Sequence, residues 1–279
     1  MRMDHKLVRH GTLAVILVLF PKALPGQESS DFSMSAPEVR PLAKVARTME
    51  VKFGLLINYE DPPYRHPDDV RDETDVKFKQ QNPQSRALSV RAGQLNFRVP
   101  LAPGGKSLES PLNALQIAVT AYNALGLPGS FQVRSGKDNF SIVADAVKAE
   151  NGQLAATISP LDSKLGTFER EVTGTQLVEA LCEEMSRSGG VRVVPGLIPT
   201  NFLANTSVVL RLHGQTARDA LSASLANLRW RQPEVKIPIR KLAWELFYSP
   251  GKEMYFLHLH VAMKEVPDRF FGRTVEVPQ

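Results

Sequence analysis

The sequence predicts an α+β protein of two tandem related modules, each with two helices packed on a small mixed β-sheet. Two observations predict it. The order helix, strand, strand, helix, hairpin runs from Ser35 to Val147 and again from Thr173 to Val261. Each copy also closes on a Gly-Lys-acid turn between two apolar strands, Ser135-Gly136-Lys137-Asp138 in the first and Pro250-Gly251-Lys252-Glu253 in the second. Hydrophobic period separates the elements, because helices repeat every 3.6 residues and strands every two.

Residues 1–26 read as an export signal that precedes the fold. Arg2, Lys6 and Arg9 make a positive start, Leu13 to Phe20 is an unbroken apolar run, and Ala23-Leu24-Pro25-Gly26 offers a small residue for cleavage. The run falls short of the roughly 20 apolar residues that a spanning helix needs. A periplasmic or secreted bacterial protein, with no membrane span after signal cleavage, is the expectation.

The first module is expected over 35–147. Ser35 and Glu38 have the spacing of a capping box with Pro37 in the first turn, and Leu42, Val45, Ala46, Met49 and Phe53 continue at helical spacing to Gly54. A short apolar strand follows at Leu55 to Asn58. The stretch Tyr59 to Gly93 is dense in Pro, Asp and Arg and reads as a long surface loop over 59–93, with a small strand at Val76 to Phe78. Leu95, Phe97 and Val99 alternate with Asn96 and Arg98 as on a half-buried strand. Leu112, Leu115, Val119 and Tyr122 mark a second helix, and Phe131 to Ala144 forms the hairpin.

Residues 148–165 are expected to link the modules, 166–262 to form the second, and 263–279 to be a flexible tail. In the second module Leu177, Ala180, Leu181 and Met185 repeat the helical stripe, ended by Gly189-Gly190 and followed by a strand from Val191 to Val194. Val208, Leu210 and Leu212 make the alternating strand, and Ala217, Ala220, Leu221, Leu225 and Leu228 the helix. Leu42 to Leu177 is 135 positions but Phe97 to Leu210 is 113, so the first module carries about 22 extra residues. They fall in the long loop.

Composition narrows the function. The chain holds 34 Lys plus Arg against 29 Asp plus Glu. Four of the bases (Arg2, Lys6, Arg9, Lys22) and one acid (Asp4) lie in the first 26 residues, which leaves 30 against 28 behind the signal. Nucleic acid is therefore not an expected partner. Cys182 is the only cysteine, so no intramolecular disulfide forms, and its place on a helical stripe predicts a buried thiol.

No constellation of catalytic, cofactor or metal-binding residues stands out, and none is assigned. His258 and His260 share one face of a strand, the spacing of two zinc ligands, but a third ligand would have to come from His213 or His66. Pro103-Gly104-Gly105-Lys106-Ser107 has the end of a phosphate loop, with Pro100 where that motif needs glycine. The acids Glu60, Asp61, Asp68 and Asp69 supply the one enzymatic alternative, an envelope-polymer hydrolase using the loop 60–69. Arg65, His66 and Arg71 lie among these acids, and a solvated loop is the simpler expectation.

Trp244, Phe247, Tyr248 and Tyr255, with His258 and His260, concentrate on the second hairpin, which is apolar on both faces. Either both faces are covered internally or one edge is an interaction surface, where an envelope protein or peptide adds a strand.

The stretch Asn205-Thr206-Ser207-Val208-Val209-Leu210-Arg211-Leu212-His213-Gly214-Gln215-Thr216-Ala217-Arg218-Asp219-Ala220-Leu221 resembles the secretin and TonB short N-terminal (STN) domain. That family has an alternating strand, a polar turn and a helix whose Ala-Leu pair enters the core. The chain also resembles secreted bacterial proteins that share Tyr59-Glu60-Asp61-Pro62-Pro63 and Trp244-Glu245-Leu246-Phe247-Tyr248-Ser249-Pro250-Gly251. The STN resemblance covers 165–262 and, more loosely, 35–147. It implies a periplasmic protein-interaction module without catalysis. No outer-membrane barrel or secretin pore stands behind the module in this sequence, so transport is not part of that expectation.

Overall fold

The computed structural model describes residues 31–267 and 274–279, so the export signal expected over 1–26 lies outside the described residues. The chain begins with β1 (Asp31–Glu38), α1 (Pro41–Phe53) and β2 (Ile57–Glu60). The excursion that follows carries a 3₁₀ turn (Pro67–Asp69), β3 (Val70–Asp72), α2 (Val76–Gln81) and β4 (Leu88–Val90). The first half then runs through β5 (Gly93–Pro100), α3 (Pro111–Ala124), β6 (Ser130–Ser135), β7 (Phe140–Lys148) and β8 (Leu154–Ala156). After a second 3₁₀ turn (Pro160–Asp162) come β9 (Thr167–Thr173), α4 (Gly174–Gly189), β10 (Arg192–Pro195), α5 (Thr200–Ala204) and β11 (Thr206–His213). The second half ends with α6 (Ala217–Ala226), β12 (Arg229–Trp230), β13 (Leu242–Ser249) and β14 (Met254–Val261), and β15 (Met263–Pro267) and β16 (Thr274–Pro278) close the chain.

The α+β expectation is met, with the two halves pairing their strands alike. β1 lies antiparallel to β5 as β9 does to β11, and β2 lies parallel to β7 as β10 does to β14. Each hairpin, β6–β7 and β13–β14, supplies the third strand. Helices α1 and α4 end on Gly54 and Gly190 at φ 66° and 65°, a left-handed cap that glycine adopts without the steric cost of a side chain.

The halves do not keep separate sheets. β2 pairs in parallel with β13, Tyr59 opposite Glu245 and Glu60 opposite Leu246, which fuses both sets into one seven-stranded sheet ordered β10-β14-β13-β2-β7-β6, with β8 on the end of β7. Two cores flank it. The first gathers Leu42, Val45 and Met49 of α1, Leu115 and Val119 of α3, and Ile57, Tyr59, Phe131 and Ile142 of the sheet. The second gathers Leu177, Leu181 and Met185 of α4, Leu221 and Leu225 of α6, and Trp244, Leu246, Tyr255 and Leu257. Trp244, Leu246 and Tyr248 enter the second core, while Phe247 between them packs against the first. Alternation along β13 therefore puts the helices of the two halves on opposite faces.

Several boundaries differ from the sequence reading. Ser35 and Glu38 belong to β1, where Phe32, Met34 and Ala36 alternate inward; α1 starts at Pro41 without a side-chain cap. The capping box occurs in the second half, between Thr173 and Gln176. Val76 to Phe78 is helical, because the Asp75 carboxylate accepts the Lys77 and Phe78 N–H groups and nucleates a turn. The 59–93 excursion is not wholly superficial, since Tyr64 and Val90 enter the second core. The 148–165 segment likewise buries Leu161 there. Residues 263–267 and 274–278, expected to lie in a loose tail, pair antiparallel, and Gln279 after them is tied to Lys241 and Ala262 by backbone hydrogen bonds.

Candidate functional site

Charged side chains are seldom fully buried unless they are paired. Three carboxylates of the first half, Glu50, Glu60 and Asp61, are 0–2% exposed, and each reaches a group of the second half. Glu50 on α1 accepts from Arg47 at 2.7 Å and from the Met263 N–H at 3.2 Å, and lies 2.9 Å from His260 Nε2. Glu60 is held by the Arg218 guanidinium, Nη1 on Oε1 and Nη2 on Oε2 at 2.9 Å, and by the Ser159 hydroxyl at 2.6 Å. Arg218 also donates to Asp162 at 2.9 and 3.1 Å, and Asp162 in turn accepts from Arg134 at 3.0 Å.

Asp61 is the centre of the joint. Its Oδ1 accepts from the hydroxyls of Tyr59 at 2.8 Å and Tyr64 at 3.2 Å; its Oδ2 accepts from Arg40 Nε at 2.6 Å and from the Tyr248 N–H at 2.9 Å. Arg40 donates a second bond to the Tyr248 carbonyl at 2.8 Å and lies over the Phe247 ring at 4.7 Å. Asn58 completes the seam by accepting the Trp244 N–H at 3.1 Å. The side chains of Asn58 on β2 and of Asp61 just after it thus bind backbone of β13 on either side of a two-residue parallel pairing.

The electrostatics follow the geometry. Burial lowers the pKa of the Arg40 and Arg218 guanidiniums, but Asp61 for Arg40, and Glu60 with Asp162 for Arg218, outweigh it and raise the net value above the ordinary one. Burial first, and Asp61 second, push the Tyr59 and Tyr64 hydroxyls well above the usual phenol range, so both remain donors. The two guanidiniums therefore stay charged and the two phenols stay protonated at any physiological pH.

The acidic loop is consequently split. Glu60 and Asp61 are buried with both oxygens bonded, contrary to the solvated loop expected from sequence. Asp68 is exposed, and Asp69 is buried with Lys148 at 3.5 Å and no hydrogen bond to either oxygen. The alternating Pro and Arg around these acids concealed the difference. The available signal was the pair of phrases Tyr59–Pro63 and Trp244–Gly251, which the structure sets side by side on β2 and β13.

The six hairpin residues fall on two faces. Trp244, Tyr248 and Tyr255 are buried in the second core; Phe247, His258 and His260 are half-buried on the opposite face. There Phe247 meets Tyr59 at a ring distance of 6.0 Å, His260 meets Glu50, and His258 Nδ1 accepts the Leu197 N–H at 3.4 Å. Among the described residues no group of three His, Cys, Asp or Glu gathers around these imidazoles or elsewhere. Burial pushes the Cys182 thiol up to about 12, which leaves it protonated and unreactive.

Both ends of the large sheet are closed by side chains. The Asn123 amide donates to the Phe131 carbonyl at 2.9 Å and accepts its N–H at 3.0 Å on β6, as a neighbouring strand would. The Ser186 hydroxyl does the same for Val193 on β10, at 3.0 and 2.8 Å, and Pro195 lacks an N–H. These are devices that blunt an edge against pairing. β9 is the longest edge strand among the described residues that carries no proline; it pairs only with β11.

Between the halves lies a cleft of about 880 Å³, bounded by the β6–β7 turn, α6 and the segment leading into β13. Among the described residues no helix is long and apolar enough to cross a membrane. Compared with protein-family models, with curated proteins and with solved structures, the chain matches none.

Proposed function

We propose that this protein is an exported envelope component that acts by binding a protein or peptide, without catalysis. The observation that carries this reading is the state of its acids: Glu60 and Asp61, which a hydrolase would need as proton donor and nucleophile, are buried and fully bonded within the joint. A carboxylate committed to arginine and backbone N–H groups has no lone pair directed at a substrate. The export-like start of the chain and the STN resemblance of 205–221 support the same reading.

The partner adds as a strand along β9, whose outward edge carries no further strand among the described residues over Thr167 to Val172. N–H groups on successive residues of an antiparallel strand point to opposite sides. Of Arg170→Pro and Glu171→Pro, one removes a ladder bond to β11 and destabilises the fold, and the other removes only an outward donor. An envelope pull-down with the chain lacking residues 1–26 should recover a protein that the fold-preserving variant loses. Retention of that protein by the fold-preserving variant would exclude β9. Cleavage of envelope glycan or peptide by the purified chain, abolished by Asp68→Asn, would overturn the non-catalytic reading.

A further inference from the structure

The cleft between the halves has the chemistry of a small-molecule site. Its floor is apolar: Leu225, Leu242 and Trp244 are buried there, with Leu56 and Ile239 half-exposed beside them. Its walls carry five cations, Arg134, Lys137, Arg218, Arg240 and Lys241, against two acids, Asp138 and Asp219. Arg134 and Arg218 are tied to Asp162, whereas Lys137, Arg240 and Lys241 stand exposed at the rim without an ion pair among the described residues. These three cations outnumber Asp138 and Asp219, so the balance at the mouth is positive.

The Trp244 indole N–H is buried and has no acceptor among the described residues. The indole ring lines the floor while its N–H lies beneath the surface, where an unpaired donor costs the fold roughly 1–3 kcal/mol. A volume of about 880 Å³ with an apolar floor and a few convergent polar groups is the usual form of a ligand pocket.

We propose that this cleft binds an amphiphilic anion, an aliphatic or aromatic body bearing one acidic head. The body lies against Leu225, Leu242 and Trp244, and the head faces Lys137 and Lys241 at the rim. The site is distinct from the β9 edge, and its occupancy does not depend on a strand-adding partner.

Decanoate below its micellar range is the probe, with decyl phosphate as a second acidic head and decanol as the uncharged control. The chain has two tryptophans, so Trp230→Phe leaves Trp244 as the sole indole reporter, and calorimetry on the unsubstituted chain gives the same affinity independently. The expected result is saturable binding of decanoate with a change in Trp244 emission, and no comparable response to decanol. Reversing the rim with Lys137→Glu and Lys241→Glu together should weaken binding by about tenfold or more. Ala223→Trp, on the exposed side of α6 that lines the cleft, should abolish it. Absence of saturable binding of either anion in both measurements, equal binding of decanol, or full binding by the Ala223→Trp chain would each overturn the assignment. Binding of decyl phosphate in place of decanoate would keep the amphiphilic anion and assign a phosphate head.

Discussion

Replacing Arg218 with methionine removes the guanidinium from the joint while keeping much of its aliphatic volume. Glu60, 0% exposed, then retains only the Ser159 hydroxyl at 2.6 Å for a full negative charge. Asp162 suffers less, since Arg134 still holds both of its oxygens at 3.0 Å. Removing one member of a buried ion pair typically costs about 3–5 kcal/mol, most of it from the charge left behind. Arg218→Met should therefore be destabilised by about that amount. The second substitution, Glu60→Gln, discards the stranded charge, and the double variant should be more stable than Arg218→Met alone by about 1–3 kcal/mol. Urea unfolding followed by far-ultraviolet circular dichroism and by tryptophan emission measures all four members of the cycle. A loss below 1 kcal/mol for Arg218→Met, or simple additivity of the two substitutions, would falsify the account of a charged, desolvated joint.

Three further expectations follow from the same geometry. The halves should not fold separately: fragments 31–156 and 157–279 should each lack a cooperative transition in urea, because β2 loses β13 and the second core loses Tyr64 and Val90, and independent two-state unfolding of either fragment would contradict this. His258 is held below the usual imidazole pKa, first by burial and then by Arg40, and Leu197 donates to its Nδ1, so the neutral ring is the one the fold accepts. Its contribution to stability is present above about pH 6.5 and lost as pH falls through the lower folded value; His258→Gln should flatten the stability profile between about pH 7 and 5, and an unchanged profile would contradict the assignment. Gly174→Ala should destabilise by about 1–3 kcal/mol, since a Cβ there would lie 2.7 Å from Thr206 Oγ1 and 2.9 Å from the Leu203 carbonyl oxygen, and a thermal midpoint equal to that of the parent would show that α5 yields freely.

The joint also bears on how the protein is held together. A strand pairing of two residues is too short to fuse two sheets by its ladder alone, and the main-chain bond from Asp61 to Leu246 adds only one more. Asn58, Asp61 and Arg40 extend the contact through side chains that bind the β13 backbone at Trp244 and Tyr248. Substituting any of them is expected to act on cohesion between the halves, and only through that on ligand or partner.

Period alone determined a good part of this chain. The alternating runs 95–99 and 208–212, the helical stripes of α1, α3, α4 and α6, and the two turns after Gly136 and Gly251 were all legible, because burial of one face imposes a repeat that residue type displays directly. β1 was missed because three small or polar residues, Ser33, Ser35 and Ala36, and Pro37 mimic a helix start; only pairing with β5 makes them a strand. Tertiary structure decided the rest: that β2 meets β13, that the helices of the halves take opposite faces, and that Glu60 and Asp61 are interior charges while Asp68 is a surface one. A carboxylate looks the same in sequence whether water or arginine surrounds it. The partners of the buried carboxylates are contributed from as far as 213 residues away, a separation at which no local pattern carries information.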